Sequence, residues 1–217
     1  MIEKDVLDKL LLAGKITAEI REDSRKLIKV GASLLDIAEK IEADIHKKGG
    51  EPAFPVNLSI NESAAHYTPT ANDKTLIKEN DIIKVDIGVH VNGYAGDTAY
   101  TISFDPELQE LVKASENALA AAMKEVRTGA LLSNVSSAIQ ETIESFGFKP
   151  ISNLTGHGIE QYDLHANPQI PNVKFESNYE LEEDMVIAIE PFATNGIGRI
   201  TEANEAMIFS MATLKPT

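Results

Sequence analysis

The chain has 217 residues, of which 43% are hydrophobic, and this suits one domain with one core. Its 20 Lys and Arg against 34 Asp and Glu give a formal net charge of -14, which argues against direct binding to nucleic acid or to anionic membranes. The absence of Cys excludes disulfides, thiolate metal sites and cysteine nucleophiles, so His, Asp and Glu are the possible metal ligands.

Two helices are predicted in the first 50 residues. The first spans residues 4 to 24, with an apolar stripe made of Val6, Leu7, Leu10 and Leu11. The charged start of the chain, and the lack of any apolar run near the ~18 residues of a membrane span, predict a cytoplasmic protein without membrane contact. The second helix begins after the N-cap residue Ser33 and ends at Gly49 and Gly50. Its inward positions are Leu34, Ile37, Ala38, Ile41 and Ile45.

Irregular chain and then a β-hairpin are predicted next. The stretch from 51 to 55 holds two prolines and must be extended or turning, and a loop follows through His66 and Pro69. Residues 82 to 91 and 94 to 104 read as strands, and the Asn-Gly pair between them is the strongest short signal for a hairpin turn.

The second half of the chain begins with two further predicted helices. Asp105 and Pro106 suit the start of the first and Gly129 its end, with a stripe of Leu108, Leu111, Val112, Leu119, Ala122 and Val126. The next runs from about Ser133 to Gly147, with Val135, Ala138, Ile139, Ile143 and Phe146 inward. Short strands are predicted at 185 to 189 and 201 to 211. Helices covering one face of a mainly antiparallel sheet make an α+β domain.

Two acids lie inside the predicted hairpin, where Asp is normally depleted. If the turn has two residues, Gly88 faces Asp97 and Asp86 faces Ala99. Both carboxylates then share a face as diagonal neighbours, roughly 7 to 8 Å apart at Cα, and can converge on an ion or an ion pair. The same face could instead simply be solvated, because Lys84 lies on it too.

A second group of polar residues lies farther along the chain. His157 stands between two glycines, which would let a ligand approach closely, and Glu190 ends an apolar run. A carboxylate there would cost several kcal/mol unless a proton or a cation accompanied it. Each of these, like His66, is on its own more often an ordinary loop or strand-end residue. Together, two Asp, one His and one Glu suit two hard or borderline cations that activate water, the chemistry of aminopeptidases.

Several motifs together resemble those of type 2 methionine aminopeptidases in their archaeal form. The run FPVNLSINE leads to AAHYTP at 64 to 69, followed by VDIGVH at 85 to 90, GDTA at 96 to 99, LTGH at 154 to 157, LH at 164 to 165 and IEPFAT at 189 to 194. The resemblance extends from about residue 3 to the chain end. It implies the pita-bread fold and removal of the initiator methionine from nascent polypeptides, with association with the ribosome as a further implied partner.

The resemblance also implies the metal ligands and the cofactor. Two divalent cations, drawn from Co, Mn, Fe, Zn and Ni, would be held by four side chains. Asp86 would bind one metal, Asp97 would bridge both, His157 would bind the other, and Glu190 would be a ligand close to the attacking water.

Catalytic and substrate-binding roles follow from the same resemblance. Glu190 would shuttle the proton during metal-assisted hydrolysis of the first peptide bond. His66 and His165 would orient and polarise the scissile amide. Phe54 would line the methionine pocket, where an apolar and polarizable lining suits a thioether.

One departure from the family pattern concerns the C-terminus. The family has a fifth ligand, a second Glu in a strand that follows the helical insertion distinguishing type 2 from type 1. This chain stops at Thr217, where the insertion would begin, and Glu202 and Glu205 do not lie in a matching motif. We therefore expect residues 1 to 217 to form a single metallopeptidase catalytic domain that is incomplete at its C-terminus and lacks the terminal strands.

Two other functions remain open at this point. A proline-directed peptidase of the same fold, such as a prolidase, usually carries an extra N-terminal domain, and only about 80 residues precede Asp86 here. A non-catalytic pita-bread relative that binds protein or nucleic acid would typically have lost some of the four ligands, which this chain retains.

Overall fold

The computed structural model describes residues 2–202 and 207–209, within which the chain forms four α-helices and nine strands. The helices are α1 (Lys4–Ser24), α2 (Leu34–Lys47), α3 (Gln109–Glu125) and α4 (Leu132–Ser145). The strands are β1 (Glu51–Pro52), β2 (Asn57–Ile60), β3 (Ile82–Val91), β4 (Tyr94–Ser103), β5 (Lys149–Pro150), β6 (Thr155–Glu160), β7 (Asp163–Pro171), β8 (Ile187–Ala188) and β9 (Ala193–Thr194). The named strands pair antiparallel, and the predicted α+β class is confirmed.

The first sheet is built around β3, which pairs with β4 on one side and with β1 and β2 on the other. Side chains on a strand alternate between faces. Four of the five odd-numbered residues of β3, namely Ile83, Val85, Ile87 and Val89, are fully buried in the core that α1 and α2 share with this sheet, and Val91 is partly buried against it. The even-numbered residues point to the opposite face, and these include Asp86.

The α2 helix forms as its sequence pattern predicts. The Ser33 side chain accepts a hydrogen bond from the backbone N–H of Asp36, which caps the helix. All five predicted inward residues, from Leu34 to Ile45, are buried. Gly49 follows the helix at a φ of 85°, the left-handed conformation that glycine adopts without a steric penalty.

The α1 helix has the predicted bounds but a different buried face. Its buried residues are Ala13, Ile16, Thr17, Ile20 and Ser24, whereas Leu7 is 42% exposed and Leu11 is 63% exposed. The predicted stripe is therefore partly wrong, since Val6 and Leu10 are half-buried while Leu7 and Leu11 are exposed. The reason is a close contact with β4: the Thr17 hydroxyl donates to the carbonyl of Gly96, and a Cβ on Gly96 would lie 3.0 Å from the Cα of Gly14. This contact fixes which side of α1 faces the sheet.

A second core lies between α3, α4 and the later strands. Ala118 and Ala122 of α3 face Ile139 and Ile143 of α4, with Ile170 of β7 completing the core. The predicted stripe of α3 is partly wrong, because its contact face consists of alanines. Leu119 and Val126, which were predicted inward, are 37% and 40% exposed. Small side chains allow the two helices to approach closely.

Three further predictions about strands need correction. Residues 57–60 form β2 where a loop was predicted, and the β6–β7 hairpin was not predicted. The strand predicted at 185 to 189 shortens to Ile187–Ala188. Of the strand predicted at 201 to 211, residues 201, 202 and 207–209 are not in a strand, and the others lie outside the described residues. No helix in the described part of the chain is both long and apolar enough to cross a membrane.

The turns of the two long hairpins dock against each other. The backbone N–H of Tyr162, in the β6–β7 turn, donates to the carbonyl of Gly93 in the β3–β4 turn at 2.9 Å, and the side chain of Gln161 donates to the carbonyl of Asn92. The Tyr162 ring lies against Gly93, where a Cβ would be 2.5 Å from its Cδ2. This turn contact joins the first sheet to the sheet of β6, β7 and β8.

Candidate metal centre

The acidic pair on the β3–β4 hairpin has the predicted register. Asp86 pairs with Ala99 and Gly88 pairs with Asp97, so both carboxylates lie on the face that points away from α1 and α2. The Asp97 side chain is only 11% exposed, and Lys84 on the same face donates to the carbonyl of Asn61. The alternative of a merely solvated face is therefore wrong.

The environment of both carboxyl groups disfavours negative charge. Burial raises the pKa of Asp86 well above its usual range, and the negative charges of Asp97 and Glu190 raise it further. Burial and the charge of Glu190 raise the pKa of Asp97 to about 7. Buried acids that repel one another in this way are stabilised by a nearby cation.

His157 enters this region from β6, where it pairs with Ala188 of β8. The two glycines beside it serve a purpose other than the predicted approach of a ligand. A Cβ on Gly158 would lie 2.0 Å from the carbonyl oxygen of Asn167, and a Cβ on Gly156 would lie 2.3 Å from that of Ala188. They allow the neighbouring strands to approach β6, and this close packing holds the His157 backbone in place.

The contacts of the His157 ring bring three predicted site residues together. Its Nε2 lies 3.0 Å from Glu190 Oε1 and 3.7 Å from Asp97 Oδ2, while Nδ1 lies 3.0 Å from the carbonyl oxygen of Gly158. A carbonyl can only accept, so Nδ1 carries a proton there and Nε2 faces the acids. Burial lowers the pKa of His157, but the hydrogen bonds to Glu190 and Gly158 and the nearby negative charges outweigh it, and the net pKa is raised.

The two predicted substrate histidines lie on the same side of the site. The ring of His165, on β7, packs edge-on against that of His157, with centroids 4.6 Å apart at an interplanar angle of 70°. Burial lowers the pKa of His165, and the positive charges of His157 and His66 add to this shift. His66 is exposed, has a left-handed φ of 63°, and is near enough for its charge to act on His165.

The loop that carries His66 is held by its neighbour Tyr67. The carbonyl of Tyr67 accepts from the backbone N–H of Leu58 on β2 at 2.7 Å, and its hydroxyl donates to Asp73. These bonds fasten the chain directly after His66, which explains how an exposed residue keeps an unfavourable backbone conformation.

Phe54 lies beside the acidic pair. A Cβ on Gly88 would be 2.2 Å from Cε1 of the Phe54 ring, so the ring fills the space above Gly88. Gly88 is the register partner of Asp97, and the aromatic ring therefore borders the region where the carboxylates meet. Phe54 follows β1 in the chain, and the backbone N–H of Ala53 donates to the carbonyl of Gly88.

One polar residue of this region was missed by the sequence reasoning. Asn57 is the register partner of Asp86 on β2 and is 1% exposed. Its Nδ2 donates to the carbonyl of Pro55, and its Oδ1 has no hydrogen-bond partner in the protein. Two acceptors, Asn57 Oδ1 and the Asp86 carboxyl, thus lie on neighbouring strands. An Asn inside an apolar strand was the available signal, but β2 was predicted as a loop.

Asp86, Asp97, His157 and Glu190, together called the candidate metal centre below, fit a divalent cation by their chemistry. Three carboxylates and one imidazole are suitable donors for hard or borderline ions. The raised pKa values of the two Asp and the unpartnered Asn57 Oδ1 indicate a surplus of acceptors that a cation would relieve.

The side chains of the candidate metal centre contact one another as pairs. Within residues 2–202 and 207–209, no three His, Asp or Glu side chains have the arrangement of a formed coordination shell. The imidazole of His157 instead bonds directly to Glu190. Of the two acids weighed as a fifth ligand, Glu202 is exposed, and Glu205 lies outside the described residues.

Comparisons with known proteins agree with this arrangement. The sequence model of metallopeptidase family M24 matches residues 8–211. A methionine aminopeptidase of Methanocaldococcus jannaschii is 45% identical over 215 residues, which are 99% of this chain and 73% of that protein. A methionine aminopeptidase of Thermococcus onnurineus is 50% identical over 206 residues, 94% of this chain and 70% of that protein.

Solved structures give the same result for the fold. The crystal structure of methionine aminopeptidase from Thermotoga maritima superposes with a TM-score of 0.88 at 32% identity, covering 95% of this chain and 87% of that one. The predicted pita-bread fold is thereby confirmed. The match to the family model over nearly the whole chain, with the relatives beside it, leads to one conclusion: the chain belongs to metallopeptidase family M24.

Proposed function

We propose that this metallopeptidase is a methionine aminopeptidase that removes the N-terminal methionine from nascent polypeptides. The enzyme class predicted from the motifs is confirmed by the methionine aminopeptidases to which the chain is 45% and 50% identical. The observation that carries the proposal is the meeting of Asp97 on β4, His157 on β6 and Glu190 in the segment between β8 and β9, with Asp86 beside them. We further propose the archaeal form of type 2, which the motifs resemble and to which the archaeal source of both relatives lends support.

The candidate metal centre would hold two divalent cations, drawn from Co, Mn, Fe, Zn and Ni. Asp86 would bind one, Asp97 would bridge both, His157 would bind the other, and Glu190 would be a ligand close to the attacking water. When bound, such ions lower the pKa of water and polarise a carbonyl oxygen. The carboxylates that now repel each other would then be ionised and paired with positive charge, which suits the raised pKa values of Asp86 and Asp97.

The remaining residues would act on the substrate. Glu190, whose carboxylate is 31% exposed beside His157, would accept the proton of the attacking water and pass it to the leaving amine. His165 has a lowered pKa, so its ring is neutral near pH 7 and can donate to the scissile carbonyl from one nitrogen. His66 would orient the amide from the facing loop. Phe54 would form one wall of the methionine pocket.

Domain organisation and cellular location are further proposals. Residues 1 to 217 would form one catalytic domain with two hydrophobic cores. Association with the ribosome and a cytoplasmic location, both expected from the sequence, stay predictions.

A peptide assay combined with metal titration tests the proposed function. The protein is first treated with a chelator and then titrated with Mn²⁺ or Co²⁺ by calorimetry, and cleavage is followed on a Met-Gly peptide and on an Xaa-Pro peptide. We expect metal-dependent release of methionine from the first. Preferential cleavage of the Xaa-Pro peptide would favour a prolidase, and the absence of metal binding would favour a non-catalytic relative.

A further inference from the structure

Asn172 lies at the end of β7 with its side chain completely buried, at 0% exposure. Both polar atoms of its amide make hydrogen bonds. Nδ2 donates to the carbonyl oxygen of Leu154 at 2.8 Å, and Oδ1 accepts from the backbone N–H of Phe192 at 3.1 Å. One side chain therefore bridges two backbone segments that are 38 residues apart in the sequence, as their numbers 154 and 192 give.

The orientation of this amide is fixed by its partners. The carbonyl of Leu154 can only accept and the N–H of Phe192 can only donate, so the Nδ2 and Oδ1 positions cannot be exchanged. An Asp would accept at both ends and would place two acceptors against each other at Leu154. Among short side chains, only the Asn amide offers a donor and an acceptor of this reach.

The two bridged segments are those that carry His157 and Glu190. Leu154 directly precedes β6, in which His157 is the third residue, and Phe192 follows Glu190 by two residues. The ladder between β6 and β7 begins at the pair Thr155 and Pro171, so the Asn172 side chain supplies the next bond after the backbone pairing stops.

We propose that Asn172 is a positioning residue that sets the separation of His157 and Glu190 and thereby the affinity and geometry of the candidate metal centre. It acts through the backbone, because Leu154 is three residues from His157, roughly 10 Å along a strand. The inference rests on the proposed metal ligands and adds to them a residue that does not touch metal or substrate.

Loss of the amide leaves a buried carbonyl and a buried N–H without partners, so the two segments are no longer held at a fixed separation. For Asn172→Ala we expect the dissociation constant for Co²⁺ to rise about tenfold, as for other residues that orient metal ligands from outside. The visible absorption bands of bound Co²⁺ should also change, because they report coordination geometry. With a Met-initial peptide, kcat should fall while KM changes little. Phe54 and His66 lie on other segments, and His165 is on β7, which the backbone ladder holds to β6 without the Asn172 amide.

A matched control separates positioning from general stability. Ser24→Ala removes another buried hydrogen bond, that between Ser24 Oγ and the hydroxyl of Tyr100 at 2.9 Å, on the far side of the first sheet. We expect it to lower the unfolding temperature comparably and to leave Co²⁺ affinity and absorption as in the wild type. Asn172→Ser, which keeps a smaller polar group, provides a second variant if the alanine variant does not fold.

Three results would overturn the inference. Co²⁺ affinity and absorption bands equal to those of the wild type in either folded Asn172 variant would remove the positioning role. An equal loss of Co²⁺ affinity in Ser24→Ala would mean that the effect of Asn172 comes from general stability and not from positioning. If neither variant folds, hydrogen exchange in the wild type decides: a Phe192 N–H that exchanges much faster than the β6 ladder amides contradicts the bridge. A wild type that binds Co²⁺ and cleaves peptide in these experiments would leave the proposed function standing.

Discussion

The ring of Phe54 occupies the space above Gly88 so closely that a Cβ at position 88 would lie 2.2 Å from the ring carbon Cε1. Gly88 is also the residue opposite Asp97 in the β3–β4 ladder. A missing side chain on one strand therefore creates the space for an aromatic wall beside a carboxylate of the candidate metal centre.

Gly88→Ala should displace Phe54 and enlarge or distort the methionine pocket. We expect KM for a Met-initial peptide to rise about tenfold, the usual scale for a misfit of one methyl group in an apolar pocket. Metal affinity should stay the same, because the backbone of β3 is unaltered. Gly14→Ala is the matched control, since a Cβ at Gly14 meets nothing within 4 Å. Unchanged KM in Gly88→Ala would mean that Phe54 does not border the pocket.

Asp97→Asn should weaken metal binding more than Asp86→Asn does. Asp97 contacts His157, and the negative charge of Glu190 raises its pKa. Its carboxylate therefore lies close to ligands from the other strands of the candidate metal centre. Loss of a carboxylate shared by two cations should cost at least about 100-fold in affinity, beyond the effect of residues that only orient ligands. Calorimetry with Co²⁺ measures both sites. Full binding of two ions by Asp97→Asn would disprove the bridging role.

The stability of the metal-free protein should decrease as pH rises. Asp97 has a pKa of about 7 in the folded state against an ordinary value of 3.8, so the folded protein holds this proton more tightly than the unfolded chain. That contribution is complete below the unfolded pKa and is lost as pH rises through the folded one. Without metal, we expect Asp97→Asn to unfold roughly 5 °C higher than the wild type at about pH 8, with little difference at about pH 4.

Thermal unfolding in the presence of a chelator checks this pH dependence. Added divalent metal should raise the unfolding temperature of the wild type more at the higher pH, because the carboxylates no longer have to give up a proton. An equal metal-induced rise in the unfolding temperature at both pH values would show that Asp97 is not a buried charge without a partner in the metal-free protein.

His165→Ala and His66→Ala should lower turnover and leave metal content intact. The His165 ring packs against His157 with its edge, and neither histidine is within an ion-pair contact of Asp97 or Glu190 in the described structure. We expect kcat to fall about 100-fold, as for loss of a group that polarises a carbonyl. Metal analysis of the same samples is the control. Loss of a cation from either variant would make that histidine a ligand.

The hairpin that carries the acidic pair was predictable in detail because its information is local. An Asn-Gly turn fixes the register of the two strands, and the register fixes which residues share a face. Counting residues outward from the turn was therefore enough to place Asp86 and Asp97 on the same face. The local sequence made His157 and Glu190 candidates, but the family resemblance was needed to place them in one site, because nothing local indicates that two residues 33 positions apart will lie 3.0 Å from each other.

The errors share one physical cause, which is dependence on distant contacts. The apolar stripe of α1 has the right period, but the phase depends on the approach of Gly96 to Gly14 from β4. Strand β2 looks like a loop between prolines and is a strand only because β3 offers its free edge. The glycines around His157 were predicted to leave space for a ligand. In the structure that space is occupied by the carbonyl groups of Ala188 and Asn167.

The docking of the Tyr162 turn on the Gly93 turn has a consequence for the order of folding. Each hairpin forms from nearby residues, and the core beneath the first sheet is separate from the core between α3 and α4, so both can become ordered before the two turns meet. The pairing of Asp97 with His157 requires the two turns to be in register, which makes it one of the last contacts to form. A newly synthesised chain would therefore acquire its capacity for hydrolysis only after both halves had left the ribosome, later than most of its secondary structure.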